Sequence, residues 1–279
     1  MAEPREQYES LHQLIVKNPW FCKDPLFWTD EHLKLLDIQF QPIGHLIPYP
    51  AICRPICDAS VAFGKQLIAG LTSEAKRAAF VKLFRSLGQG LVHPRDEMAV
   101  FMFSGKEVHT SSCWISHFPP PVLYNEYPVI GYYHYDDVKW DRHESIQPRD
   151  NPWVRVGGNA PVARLCRRRL RNATPAEWSK DPYIVGLILS LAQWSWRQER
   201  HPYLQNFPVR LVMTTDRDPK TVYVFMADVS VRLLDCIYWP GLSLEGVTWP
   251  VIRHLKVPAE PVCNFPDRLL FEVMGIRYL

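Results

Sequence analysis

The chain has 279 residues, 47% hydrophobic and 22% charged, a globular balance that excludes dominant disorder and can bury a sizeable core. Its 32 Lys and Arg against 29 Asp and Glu leave a net charge of only +3, which argues against a dedicated nucleic-acid binder. The most apolar run, Tyr183–Trp196, is broken by Gly186, Ser190, Gln193 and Ser195, short of the roughly 18 apolar residues a membrane span needs. The charged N-terminus has no apolar signal core, and seven cysteines at mostly long spacings read as free thiols in a reducing compartment. These features together predict a cytoplasmic chain with no membrane partner.

Taken in chain order, the first third reads helical. Tyr8, Leu11 and Ile15 share one helical face, and Asn18-Pro19 stops the pattern. Asp30 is placed to cap a short helix running to Asp37, and Asp58 one that ends at Gly70. Thr72 caps the next, whose Phe80, Leu83, Phe84 and Leu87 follow helical spacing up to Gly88. Two helices meeting at Gly70-Leu71 predict an αα-hairpin.

The middle reads as β-structure. Met98–Phe103 is a continuous apolar run, expected to be buried on both faces; Ser104-Gly105-Lys106 is a turn. Glu107–Trp114 then sets Val108, Thr110, Ser112 and Trp114 on one face, and Pro128–Tyr135 adds a strand. Asp136–Arg171, with its charges, Pro148, Pro152 and Gly157-Gly158, reads as irregular and as a candidate subdomain boundary.

Asp181-Pro182 supplies an N-cap and a first-turn proline, and the helix that follows is apolar nearly all round. Such a helix is buried. Its thin polar line, Gly186, Ser190, Gln193 and Arg197, is expected to face solvent or a cavity. A second hairpin pairs Val209–Met213 with Val222–Met226 across Asp216–Pro219. A short helix capped by Ser230, a strand over Val251–Val257 and a helical turn over Leu269–Met274 complete the chain. Helices first and hairpins next predict an α+β fold, a single domain over 1–279 with β-hairpins around a central buried helix.

Several constellations carry candidate chemistry. His134-Tyr135-Asp136-Asp137, with Asp141, His143 and Glu144, is the densest polar group, suited to acid–base work or to a metal. Asp136-Asp137-x3-Asp141 resembles the aspartate-rich magnesium–diphosphate motif of terpene synthases. That motif needs a long core helix and a downstream Asn/Ser/Glu partner; neither is present, so the ordinary reading is a solvated charged loop, and no metal or cofactor is expected. His93 beside Asp96 and Glu97 is a second acid–base candidate, and Cys113 with His117 a nucleophile–base pair, with His109 expected on the same strand face as Cys113. Asp228 ends an apolar strand, where burial would raise its pKa toward a proton-transfer role; the plainer reading is a cap on the next turn.

The arginines Arg164, Arg167, Arg168, Arg169 and Arg171 form the one basic cluster. They suit phosphate, nucleic acid or a protein receptor, and a helix is expected to spread them over several faces. Ten tryptophans and 13% aromatics tilt the reading toward a pocket for an apolar ligand. P-loop, dinucleotide, zincin and nucleophile-elbow motifs are absent from the sequence.

The stretch Asp181–Gln193, the hairpin after it and Ala227-Asp228-Val229-Ser230 resemble uncharacterised proteins of filamentous fungi over the C-terminal third. The resemblance implies a fungal source and, by association, natural-product biosynthesis. It brings no catalytic residue with it.

The leading expectation is a cofactor-independent enzyme, a cyclase or isomerase, acting on a small apolar substrate by shape and acid–base catalysis. His134, Asp136, His93 and Asp228 are its acid–base candidates, with Ser190 and Gln193 to hydrogen-bond the substrate. The alternative is a non-catalytic module that binds a protein partner through proline-rich segments and the arginine cluster.

Overall fold

The computed structural model of the protein describes residues 9–44, 58–86, 92, 97–117, 128–147, 160–198 and 205–274. Its frame is one mixed seven-stranded sheet in the order β1-β7-β6-β5-β4-β3-β2. The strands are β1 Phe40–Pro42, β2 Met98–Phe103, β3 Lys106–Ser116, β4 Val129–His134, β5 Asn206–Thr214, β6 Thr221–Ser230 and β7 Ile252–Pro258. β4 runs parallel to β5, and β1 to β7; all other neighbours are antiparallel.

The helices among the described residues are α1 Leu11–Lys17, α2 Asp30–Leu36, α3 Asp58–Ala69, α4 Ser73–Ser86, α5 Asp137–Ile146, α6 Ala160–Ala173, α7 Pro182–Gln198, α8 Val231–Tyr238 and α9 Phe265–Met274. Both expected hairpins form, and the fold is α+β. The hairpins join a single sheet instead of wrapping the long helix as separate units.

Strand alternation divides the core in two. Phe207, Val209, Leu211 and Met213 of β5, with Tyr223, Phe225, Ala227 and Val229 of β6, face one side. There they meet α7, α1, α2 and α8 in one apolar cluster. Val212, Val222, Val224 and Met226 face the other side and meet Leu67, Phe80, Leu83 and Phe84 of the α3–α4 hairpin and Leu269 and Val273 of α9. A sheet buried on both faces explains why its central strands read as continuous apolar runs.

α7 is the interior rod predicted from Asp181-Pro182, with residues 182–194 all buried. It lies across β2 to β5 closely enough that two glycines are sterically required. A Cβ on Gly131 of β4 would stand 2.5 Å from Leu191 Cδ1 and 3.0 Å from Cys113 Sγ. One on Gly186 would stand 2.6 Å from Pro25 Cβ. At the start of α7, Asp181 Oδ1 accepts from Tyr183 N–H at 2.9 Å. The same carboxylate receives Arg142 Nη1 and Nη2, each at 2.8 Å, and the Tyr135 hydroxyl at 2.8 Å. Arg142 Nε donates to Leu26 O at 2.7 Å, so this buried fork joins α5, α7 and the N-terminal turns.

Three expectations change. Asp136–Arg171 is not irregular, because α5 and α6 occupy most of its described part; residues 148–159 lie outside the described residues. α6 escaped notice because its apolar side is only Val162, Cys166, Leu170 and Ala173 among arginines. β2 is not buried on both faces: it is a sheet edge, and Met98 is 46% exposed. The polar line of α7 meets neither solvent nor cavity at its centre. Ser190 Oγ donates to Gly186 O at 2.7 Å, and Gln193 clasps β2, donating to Met102 O at 2.7 Å and accepting from Met102 N–H at 2.8 Å. The clasp sits at a register shift between Phe101 and Met102, where the pairing of the edge strand with β3 is irregular.

Candidate functional site

Two places gather polar side chains that have chemical potential. The first is the carboxyl end of the parallel pair β4–β5, the edge where open sheets place ligands. His134 ends β4 and Thr214 ends β5, side by side in register. His134 Nδ1 and Thr214 Oγ1 are 3.0 Å apart, and the Tyr132 hydroxyl is 2.8 Å from the same oxygen. That contact aims His134 Nε2 at Asp216 Oδ2, 3.6 Å away, and Asp136 Oδ2, 4.0 Å away.

The structure therefore brings His134 and Asp136 together, and adds Asp216. The three donor atoms lie within 4.8 Å of one another, a set that could hold a divalent ion. Their remaining valences are already met within the protein. Lys76 Nζ donates to Asp216 Oδ1 at 2.6 Å, and Lys139 Nζ to Asp136 Oδ1 at 2.7 Å. Asp136 Oδ2 also accepts from Thr215 Oγ1 and Asp216 N–H, each at 2.8 Å. Burial pushes the Asp136 carboxyl up, but the hydrogen bonds from Lys139, the Asp216 amide and Thr215 outweigh it and hold the group at about 2. The hydrogen bond from Lys76 keeps Asp216 low as well. With two ammonium groups on its carboxylates, the cluster serves as a tie between the β4 and β5 ends more readily than as a cation site.

The second place is a cleft of about 120 Å³ between the N-terminal turns and the β2–β3 hairpin. Its walls are apolar, including Phe21, Trp28, Phe101, Phe103, Ile237 and Trp249. The polar exception is a single run, Cys22-Lys23-Asp24. Lys23 and Trp28 also line a neighbouring polar groove of about 390 Å³ that reaches Asn172–Ala176.

Asp24 is held in place from both sides. Its Oδ1 caps the turn at Pro25–Phe27 by accepting from Leu26 N–H at 2.8 Å. It also stands 3.0 Å from His109 Nδ1 of β3. Since a carboxylate only accepts, Nδ1 carries the proton, and a neutral His109 presents Nε2 as an acceptor. The Tyr183 hydroxyl of α7 lies 2.8 Å from that nitrogen. Burial pushes the Tyr183 phenol well above its ordinary value, so it stays protonated and donates. Asp24, His109 and Tyr183 thus form a directed line from cleft wall to core. It follows the logic in which a carboxylate orients an imidazole.

The other sequence candidates fall elsewhere. His93 lies outside the described residues. Asp228 is not a buried carboxylate: it is half exposed on β6 and pairs with Arg253 at 3.0 Å. Nor does it cap the next helix, since Ser230 Oγ accepts from Leu233 N–H. Ser190 and Gln193 line neither cleft, being hydrogen-bonded inside the protein. Cys113 shares a sheet face with His109 as expected, but burial pushes its thiol far up, leaving it no nucleophile.

Sequence reasoning missed Asp24 and Tyr183 and gave His109 no partner of its own. Asp24-Pro25 carried a turn-cap signal, but nothing local links it to residues 85 and 159 positions onward. No family model, curated relative or solved structure matches the chain.

Proposed function

We propose that the apolar cleft takes a small apolar molecule and that Asp24, oriented by His109, moves a proton on it, as an isomerase or cyclase does. The observation that carries this reading is a carboxylate, braced by an imidazole, as part of the one polar run in an otherwise apolar cleft. A third of the Asp24 side chain remains exposed, so a molecule in the cleft can reach its carboxylate. The volume fits a group near the size of benzene, since a cavity of roughly 150 Å³ holds that ring. Lys23 and the adjoining polar groove give a polar substituent somewhere to lie.

The test uses Cys22 on the cleft wall as a reporter and exposed Cys263 as the internal control. A panel of monocyclic aromatic and short-chain compounds should include one that slows Cys22 alkylation and leaves Cys263 unchanged. In deuterium oxide the same compound should exchange a carbon-bound hydrogen, and Asp24→Asn should abolish the exchange while retaining protection. Protection without exchange in the wild type favours the non-catalytic module. Absence of protection by every compound refutes the cleft itself.

A further inference from the structure

Helix α6 holds a charge pattern that the chain's overall balance hides. Residues 164–171 carry five arginines and no acid, a charge of +5, whereas the whole chain has +3; the rest of the molecule therefore nets −2. Arg164, Arg167, Arg168 and Arg171 recur at i, i+3, i+4 and i+7, which places them on one helical face instead of spreading them round the helix. All four are exposed; Arg169 is exposed as well, but helical spacing sets it near Val162, away from the row. At 1.5 Å per residue the row is about 10 Å long. The described residues place no carboxylate in ion-pair range of Arg167, Arg168, Arg169 or Arg171.

The opposite side of α6 is held down. Val162, Cys166 and Leu170 are half-buried, and Cys166 Sγ donates to Ile146 O of α5 at 3.3 Å. An amphipathic helix that lies on a membrane needs its apolar side free for lipid; here that side is turned into the protein. A protein partner needs apolar anchors at the centre of its contact. The arginine face has none, with Leu165, 42% exposed, off to one side. What remains is an outward row of guanidinium forks, the group that fits phosphate oxygens in pairs.

We propose that this face of α6 binds the phosphate backbone of a nucleic acid without reading its sequence. Three contacted phosphates, one each for Arg167, Arg168 and Arg171, predict that log K falls against log salt with a slope of about −2.7 on duplex DNA and about −2.1 on a single strand. Affinity for a duplex should then drop about fortyfold between 50 and 200 mM salt.

The experiment is fluorescence anisotropy of the full chain with a labelled 20-mer duplex, its single strand and a scrambled duplex. The expected result is binding at 50 mM salt, indifference to scrambling, and a duplex slope of about −2.7. Arg167→Gln/Arg168→Gln, checked for an unchanged melting temperature, should make the slope shallower by about 2. Arg217→Gln, outside α6, serves as the charge control and should leave the slope within one unit. Failure to bind at 50 mM overturns the proposal. So does a slope that the double variant leaves unchanged. Binding to polyglutamate or anionic vesicles with none to nucleic acid overturns it in favour of those partners.

Discussion

Asp181→Asn is the substitution that tests most directly how the α7 frame is anchored. Asp181 is fully buried and its carboxylate accepts four hydrogen bonds: two from Arg142, one from Tyr135 and one from the Tyr183 amide. Asparagine preserves shape but removes the charge and turns an oxygen into an NH2 that faces a donor. Arg142, only 2% exposed, would keep its charge with no counter-ion. Breaking a buried pair from one side costs about 3–5 kcal/mol. That is a large share of the roughly 5–15 kcal/mol that holds a domain folded. At about 2–4 °C per kcal/mol for a chain of this size class, the melting temperature should fall by at least ~6 °C. Urea titration gives the free energy directly: at a slope of ~3 kcal/mol per molar, the midpoint should drop by 1 M or more. Arg142→Met/Asp181→Leu should recover part of the loss, because two apolar side chains leave no stranded charge. A single-variant loss under about 1 kcal/mol would refute the view that this fork anchors α7.

Two further perturbations probe the packing and the N-terminal turns. Gly131→Ala puts a methyl where Leu191 Cδ1 already stands, beside Cys113 Sγ, so the Leu191 side chain or α7 itself must shift; the cost should be about 1–3 kcal/mol by urea titration, and a neutral effect would contradict the close contact. Burial, aided by nearby Lys23, lowers His32 from 6.5 to about 4. The unfolded chain then takes up a proton near pH 6.5 and the folded chain only near 4. Stability is thus full above 6.5 and is lost by up to ~3 kcal/mol as pH falls through that window. A His32→Gln variant should show a flatter stability profile between pH 4 and 6.5, and an unaltered slope would remove His32 as the cause.

How much of the candidate site was legible follows from where its contacts come from. His134 and Asp136 stood out because they are close in sequence, and they do meet. Their third partner, Asp216, arrives from the turn after β5, which only the β4–β5 pairing brings alongside. The Asp24–His109–Tyr183 line draws one residue each from a turn, a strand and the long helix. No spacing rule joins such residues. Asp228 misled for the complementary reason: an apolar strand implied burial, but the end of that strand reaches water beside Arg253.

What the sequence determined by itself was local. Asp181-Pro182 and an all-round apolar run specify a buried helix, Thr72 and Ser230 cap theirs, and the turns after Phe103 and Thr215 specify two hairpins. Each rests on backbone hydrogen bonding and side-chain period within a few residues. Tertiary structure alone decided that both hairpins share one sheet with β1 and β7. It also decided that Gln193 closes an edge strand instead of meeting a ligand, and that Asp24 reaches His109. Those outcomes depend on which apolar faces meet, and burial, being non-directional, leaves no register in the sequence.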